Sequence, residues 1–226
     1  MAGRAALVSA TLAGAPAAAQ PGDPRPLSPA QTALFMTPHL RNVEQPGTLE
    51  YSFTRRGPVS FADSVLVHVQ EVHPDGTHVV AFDFLTGERR EHYPVVGEFR
   101  GNPLLMVFLE HDVKTMRESI GVSGSYFRNR IRDAFVEGAT IEDATATVDG
   151  ASVPARKVTL RPFAGEGRMA RLPPIRDKLY TFVLADSVPG GIVEISTDMP
   201  ADTGLGVPAA GERLVFRRAA PLGGKP

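Results

Sequence analysis

The stretch that decides the fold is NPLLMVFLEHDVKTMRESIGVSGSYFRNRIRDAFVEG, residues 102–138. Asn102 followed by Pro103 reads as a helix start, with Asn as cap and Pro held at a helical φ in the first turn. Leu105, Phe108, Leu109, Met116 and Ile120 then recur at steps of three and four, and Val113 thickens the stripe. Glu110, Lys114, Arg117 and Glu118 point elsewhere, and Gly121 ends the helix. Ser125 is placed to cap a second helix, Tyr126 to Val136, whose apolar stripe is Phe127, Ile131 and Phe135 with Ala134. Gly138 ends it. Two amphipathic helices in succession must each lay one face on something else.

What surrounds them is β in pattern. Upstream, Leu49, Tyr51 and Phe53 alternate with polar residues, and Val65, Val67 and Val69 share a face opposite His68 and Gln70. Pro74-Asp75-Gly76 turns the chain into Thr77 to Leu85, where His78, Val80, Phe82 and Phe84 share a face; Glu88 to Tyr93 reads as a short fourth strand. Downstream, Thr145 to Val148 and Val153 to Arg161 flank the hairpin signal Asp149-Gly150. Leu179 to Ala185 and Ile192 to Thr197 flank Pro189-Gly190-Gly191, and Leu214 to Arg217 is a last strand. Antiparallel runs interrupted by a helical pair predict an α+β fold. The expected architecture is a curled sheet of eight or nine strands, with two helices inserted after the fourth strand and packed on its concave face.

The 226 residues carry 24 Lys+Arg against 25 Asp+Glu, a net charge of −1, and no Cys or Trp. Near-neutral charge argues against a general nucleic-acid binder. Lack of Cys excludes disulfides, thiolate zinc sites and iron–sulfur clusters. At the amino terminus, Arg4, the apolar run Ala5 to Ala15, Pro16 and Ala17-Ala18-Ala19 follow the order of a secretory signal peptide, residues 1–19, with cleavage after Ala19. Residues 20–33, with Pro21, Pro24, Pro26 and Pro29, read as a Pro-rich linker. A single α+β domain is expected over 34–218 and a flexible tail over 219–226. No later stretch is long and apolar enough to span a bilayer, so a periplasmic location is expected.

Two resemblances accompany this reading. In the order of strands and helices, the chain resembles periplasmic lipoprotein carriers of the LolA and LolB type. The stretches Asp83-Phe84-Leu85-Thr86-Gly87-Glu88-Arg89-Arg90, Phe99-Arg100-Gly101-Asn102-Pro103, Tyr126-Phe127-Arg128-Asn129-Arg130-Ile131-Arg132 and Ser187-Val188-Pro189-Gly190-Gly191 are similar to an uncharacterised family of exported Gram-negative proteins. The first resemblance implies a curled sheet over helices; the second implies no activity.

Chemical motifs are sparse. The six His include His68, His73 and His78 across a hairpin, but two facing His do not make a zinc site. Gly121-Val122-Ser123-Gly124 lies between helices, where a nucleophile elbow needs a preceding strand. Walker and dinucleotide-binding patterns are absent. Arginine is the suggestive feature. Arg128 and Arg132 stack four apart on one helix face, and Arg100 precedes the helix start at Asn102, a setting suited to an anion. Ion pairing of these Arg residues with nearby carboxylates is the alternative.

The expected ligand-binding residues are therefore Arg100, Asn102, Tyr126, Arg128 and Arg132, with no catalytic residue, metal or cofactor. The expected function is a non-catalytic exported binding or carrier protein for a lipid, another apolar or amphiphilic ligand, or an envelope protein, using the concave sheet. A periplasmic hydrolase and a structural or assembly factor are the alternatives.

Overall fold

A computed structural model describes residues 26–99, 101–167 and 173–222. The signal peptide expected over 1–19 lies outside the described residues. The strands are β1 (Gly47–Arg56), β2 (Phe61–Val72), β3 (His78–Phe84), β4 (Val96–Phe99), β5 (Thr140–Val148), β6 (Ala151–Leu160), β7 (Leu179–Leu184), β8 (Ile192–Met199) and β9 (Ala210–Pro221). The helices are α1 (Pro29–Gln31), α2 (Leu104–Ile120), α3 (Gly124–Glu137) and α4 (Pro173–Arg176). Among the described residues the strands form one antiparallel nine-stranded sheet, open and curled, in the order β4-β3-β2-β1-β9-β8-β7-β6-β5.

That order explains where the helices sit. The chain builds outward from β1 to the edge strand β4, then re-enters at the opposite edge as β5 and steps inward until β9 pairs with β1. Joining the two edges means crossing a face of the sheet, and α2 and α3 make that crossing. The ring of Phe135 on α3 lies 5.9 Å from that of Phe182 on β7, and Phe53 on β1 meets His111 on α2 at 5.6 Å. The inward side chains Phe53, Val65, Val67, Val80, Phe84, Phe182, Ile195 and Leu214 have at most a trace of exposure. The α+β architecture expected from the alternating strands and the helical pair is the one observed.

Local features follow from identifiable residues. Asp149 and Gly150 both take positive φ, 50° and 78°, the hairpin geometry that joins β5 to β6. Gly211 lets β8 and β9 approach closely, since a Cβ there would stand 2.2 Å from the Thr197 carbonyl oxygen. The cap of α3 is Ser123, whose hydroxyl accepts from the Tyr126 N–H, rather than Ser125.

The segment expected to be a fourth strand over 88–93 forms a short 3-10 turn at Gly87–Arg89, and the edge strand comes later as β4. Val79 to Phe84 alternate cleanly, but Glu88-Arg89-Arg90-Glu91 has no apolar face to bury. The described part of the expected linker, 26–33, is also structured. Ser28 caps α1 through a reciprocal box with Gln31, and Ala30, Ala33 and Leu34 are buried. Proline density there supplies helix-starting residues, Pro29 at the first turn, rather than preventing structure. At the other end, β9 continues through Ala219, Ala220 and Pro221, paired with β1.

Candidate functional site

Two consecutive stripes face each other across the helical hairpin. On α2, Met106, Leu109, Glu110 and Val113 stand at i, i+3, i+4 and i+7; on α3, Arg128, Ile131, Arg132 and Phe135 repeat the same spacing. With Gln31 and Phe35 from the N-terminal segment they line an open groove of about 470 Å³. Phe35 packs edge-on against Phe135 at 5.1 Å, which fixes that wall. Met106 is 53% exposed, so the groove is open to solvent over an apolar floor. Across its mouth Arg128 grips Glu110 with two hydrogen bonds, Nε to Oε2 at 2.9 Å and Nη2 to Oε1 at 2.5 Å. Arg132 stands on the rim, and its nearest carboxylate is Asp133 at 3.9 Å.

Of the residues expected to bind ligand, Arg128 and Arg132 therefore line one groove. Asn102 does not. It is buried, its Nδ2 donates to the Gly190 carbonyl at 2.8 Å, and its Oδ1 accepts from the Leu104 N–H at 3.1 Å, tying the start of α2 to the β7–β8 turn. Tyr126 is half-buried, and its hydroxyl donates to Glu166 at 3.0 Å. Arg100 lies outside the described residues. The neighbouring Arg130 pairs with Glu166 at 2.8 Å. The sheet face that carries Phe53 and Phe182, where burial of a ligand was expected, is covered by α2 and α3. The groove lies between the helices instead.

Beneath α2 sits a buried ionic network that the sequence did not announce. His111, 3% exposed, places Nδ1 at 3.2 Å from Glu91 and Nε2 at 3.3 Å from Glu212 of β9. Arg55 of β1 donates to Glu212 at 2.7 Å through Nε and to Thr115 at 3.0 Å through Nη2. Lys178 pairs with Asp112, which also accepts from the Tyr180 hydroxyl at 2.5 Å. Lys114 and Tyr93 complete the shell of Glu91, at 2.8 and 2.7 Å.

Burial alone would push His111 down, but Glu212 and Glu91 outweigh it and raise its pKa to about 9. Burial pushes Glu91 up, yet His111, Lys114 and Tyr93 hold it at about 2. Glu212 is likewise held low against its burial by His111, Arg55 and Lys178. His111, Glu91 and Glu212 are thus charged at neutral pH. The only sequence cue was a His and an Asp on the apolar side of α2; its partners come from sequence positions far away.

Elsewhere on the sheet, Thr48, His68 and Asp83 from adjacent strands form a hydroxyl–imidazole–carboxylate row, at 3.0 and 3.1 Å. It lies on the outward side, and Arg90 approaches Asp83 at 3.4 Å. It behaves as a polar cross-strand ladder. His73 bonds Thr77 and Glu71, and His78 reaches the Val43 carbonyl, so those two do not face one another. Among the described residues no group of three His, Asp or Glu is arranged to hold a metal, and no helix is long and apolar enough to cross a membrane.

No protein-family model matches the chain, and no curated protein sequence matches it. Among the solved structures to which it is similar are two of low identity. The Mycobacterium tuberculosis lipoprotein LppX is 12% identical, over 81% of this chain and 91% of that one, with a TM-score of 0.33. A LolA superfamily protein from Nitrosomonas europaea is 8% identical, over 87% and 94%, with a TM-score of 0.24.

Proposed function

We propose that the protein is a non-catalytic, exported binding or carrier protein that seats the acyl chain of an anionic amphiphile in the α2–α3 groove. The observation that carries this reading is the groove itself: about 470 Å³, walled by Phe35, Met106, Leu109, Val113, Ile131 and Phe135, with the weakly paired Arg132 on its rim. At about 30 Å³ per water-sized group in a condensed phase, that volume holds about 15 methylenes. Each one buried contributes about 0.8 kcal/mol. Arg132 supplies the fork geometry that a carboxylate or phosphate head accepts. Arg128 is a second donor, released if the head displaces Glu110.

Export fits the order of charge, apolar run and small residues over Met1–Ala19, and we place the mature chain, one α+β domain, in the periplasm. Native mass spectrometry of the full chain purified from an envelope fraction tests the proposal. One co-purifying acyl lipid per chain supports it; a chain without any adduct, under conditions that retain lipid on a control carrier, speaks against it.

A further inference from the structure

The two edges of the sheet differ. At one, β4 has four residues, Glu98 takes a φ of 54°, and the pairing with β3 slips between His78 and Val80. So short and irregular an edge is a poor template for a further strand. At the other, β5 runs nine residues, Thr140 to Val148, in unbroken register with β6. It holds no Pro, Gly or Lys and no residue of positive φ, and none of its residues is buried. Among the described residues its backbone bonds only to β6. We infer that β5 is a dimerisation edge, pairing antiparallel with β5 of a second copy of this chain about a two-fold axis at Ala144.

The strand's own residues select that occupant. Asp149-Gly150 makes a two-residue turn, so Val148 and Ala151 exchange hydrogen bonds. Alternation then leaves the backbone N–H and C=O groups of Ile141, Asp143, Thr145 and Thr147 at the open edge. Rotation about Ala144 lays the strand on itself over its whole length. Ala144 meets Ala144 of the second copy, Asp143 meets Thr145, Glu142 meets Ala146, Ile141 meets Thr147 and Thr140 meets Val148. The four open residues on each copy then exchange about eight backbone hydrogen bonds.

Charge permits the same match. No charged residue of β5 lies directly opposite a like charge in this register, and the facing Ala pair is small. Carboxylates on an edge strand ordinarily discourage pairing. Here they are answered within the hairpin: Glu142 pairs with Lys157 at 2.5 Å, and Asp143 stands opposite Arg156 on β6. A two-fold contact requires a surface to be its own complement, and β5 meets that requirement. One edge pair is a small interface, so the dimer is reversible and half-formed at roughly 10–100 µM. None of the residues lining the acyl groove belongs to β5, so the inference is independent of that reading.

The test is sedimentation equilibrium of the full chain from roughly 1 µM to 1 mM. The mean mass is expected to rise from 24.2 kDa toward twice that value. Thr145→Glu, at an exposed site, sets a carboxylate opposite Asp143 of the second copy at two symmetric places and weakens association roughly tenfold or more. The chain has no Cys, so a single introduced Cys reports the register. Ala144→Cys brings two sulfurs within disulfide reach, since the facing Cα atoms stand about 4.5 Å apart. Thr147→Cys leaves its two copies about 20 Å apart along the strands, and under mild oxidation it is expected to cross-link roughly tenfold more slowly or not at all. Three results each overturn the proposal: a mass that stays at 24.2 kDa over the whole range, a dimer as tight with Thr145→Glu as without it, or Thr147→Cys cross-linking as fast as Ala144→Cys. The parent's own mass decides the matter even where a variant fails to fold.

Discussion

Replacing His111 with Gln removes the cation that sits between Glu91 and Glu212 and keeps a side chain of similar reach. The loss is readable as a pH dependence. In the unfolded chain His titrates near 6.5, while in the fold it is raised to about 9. Between those values the folded state binds more protons than the unfolded one, so stability falls as pH rises. The contribution is complete below pH 6.5 and is lost as pH climbs through about 9. A shift of that size corresponds to about 3 kcal/mol. His111 is almost fully buried, so solvent screening takes little from this figure. With a urea slope of about 2 kcal/mol per molar, the midpoint moves by about 1.5 M between pH 6 and pH 10. The chain has no Trp, so unfolding is followed by circular dichroism. Everything outside the substituted side chain is common to both proteins, so the difference between parent and His111→Gln isolates the network. The parent should lose about 3 kcal/mol more than the variant over this range. Equal pH slopes for the two would refute the description of His111 as a buried imidazolium.

Two further changes probe the same account. Lys178→Met leaves Asp112 buried beside Tyr180 without its cation, at an expected cost of about 3–5 kcal/mol in thermal or urea unfolding, and adding Asp112→Leu recovers most of it. Ser123→Ala should cost about 1 kcal/mol through loss of the α3 cap, while Ser125→Ala stays within about 0.5 kcal/mol, because only the Ser123 hydroxyl accepts from the Tyr126 N–H.

The sheet and the helical pair could be read from residue patterns because their apolar faces are regular. Val65, Val67 and Val69 alternate as a strand must, and Leu105, Phe108 and Leu109 recur as a helix must. The start at Leu104 and the stop at Gly121 were signalled by Asn102-Pro103 and by the glycine itself. The pairing of β9 with β1 had no local sign, since it depends on contacts between residues such as Phe53 and Leu214 at opposite ends of the chain. Charged residues misled where they cluster without an apolar face, as in Glu88 to Glu91. The groove was half legible. Arg128 and Arg132 are visible as an i, i+4 pair, but Met106 falls outside the apolar stripe and Val113 reads as part of it, because α2 is apolar on more than one side. The network around His111 was illegible for a physical reason: each charge is stabilised by a partner on another strand or loop, and no spacing in sequence records it.

Chain-length dependence of acyl binding tests the central claim most directly. The full chain, and its Met106→Glu and Arg132→Glu variants, would be titrated with a series of saturated fatty acids by displacement of a fluorescent acyl probe. Met106 is 53% exposed and Arg132 lies on the rim, so neither substitution threatens the fold. The account predicts saturable binding of one chain per protein and an affinity that rises with each added methylene until about 15 are accommodated. It also predicts roughly tenfold or greater weakening in both variants. Affinity independent of chain length, or variants that bind as tightly as the parent, would contradict it.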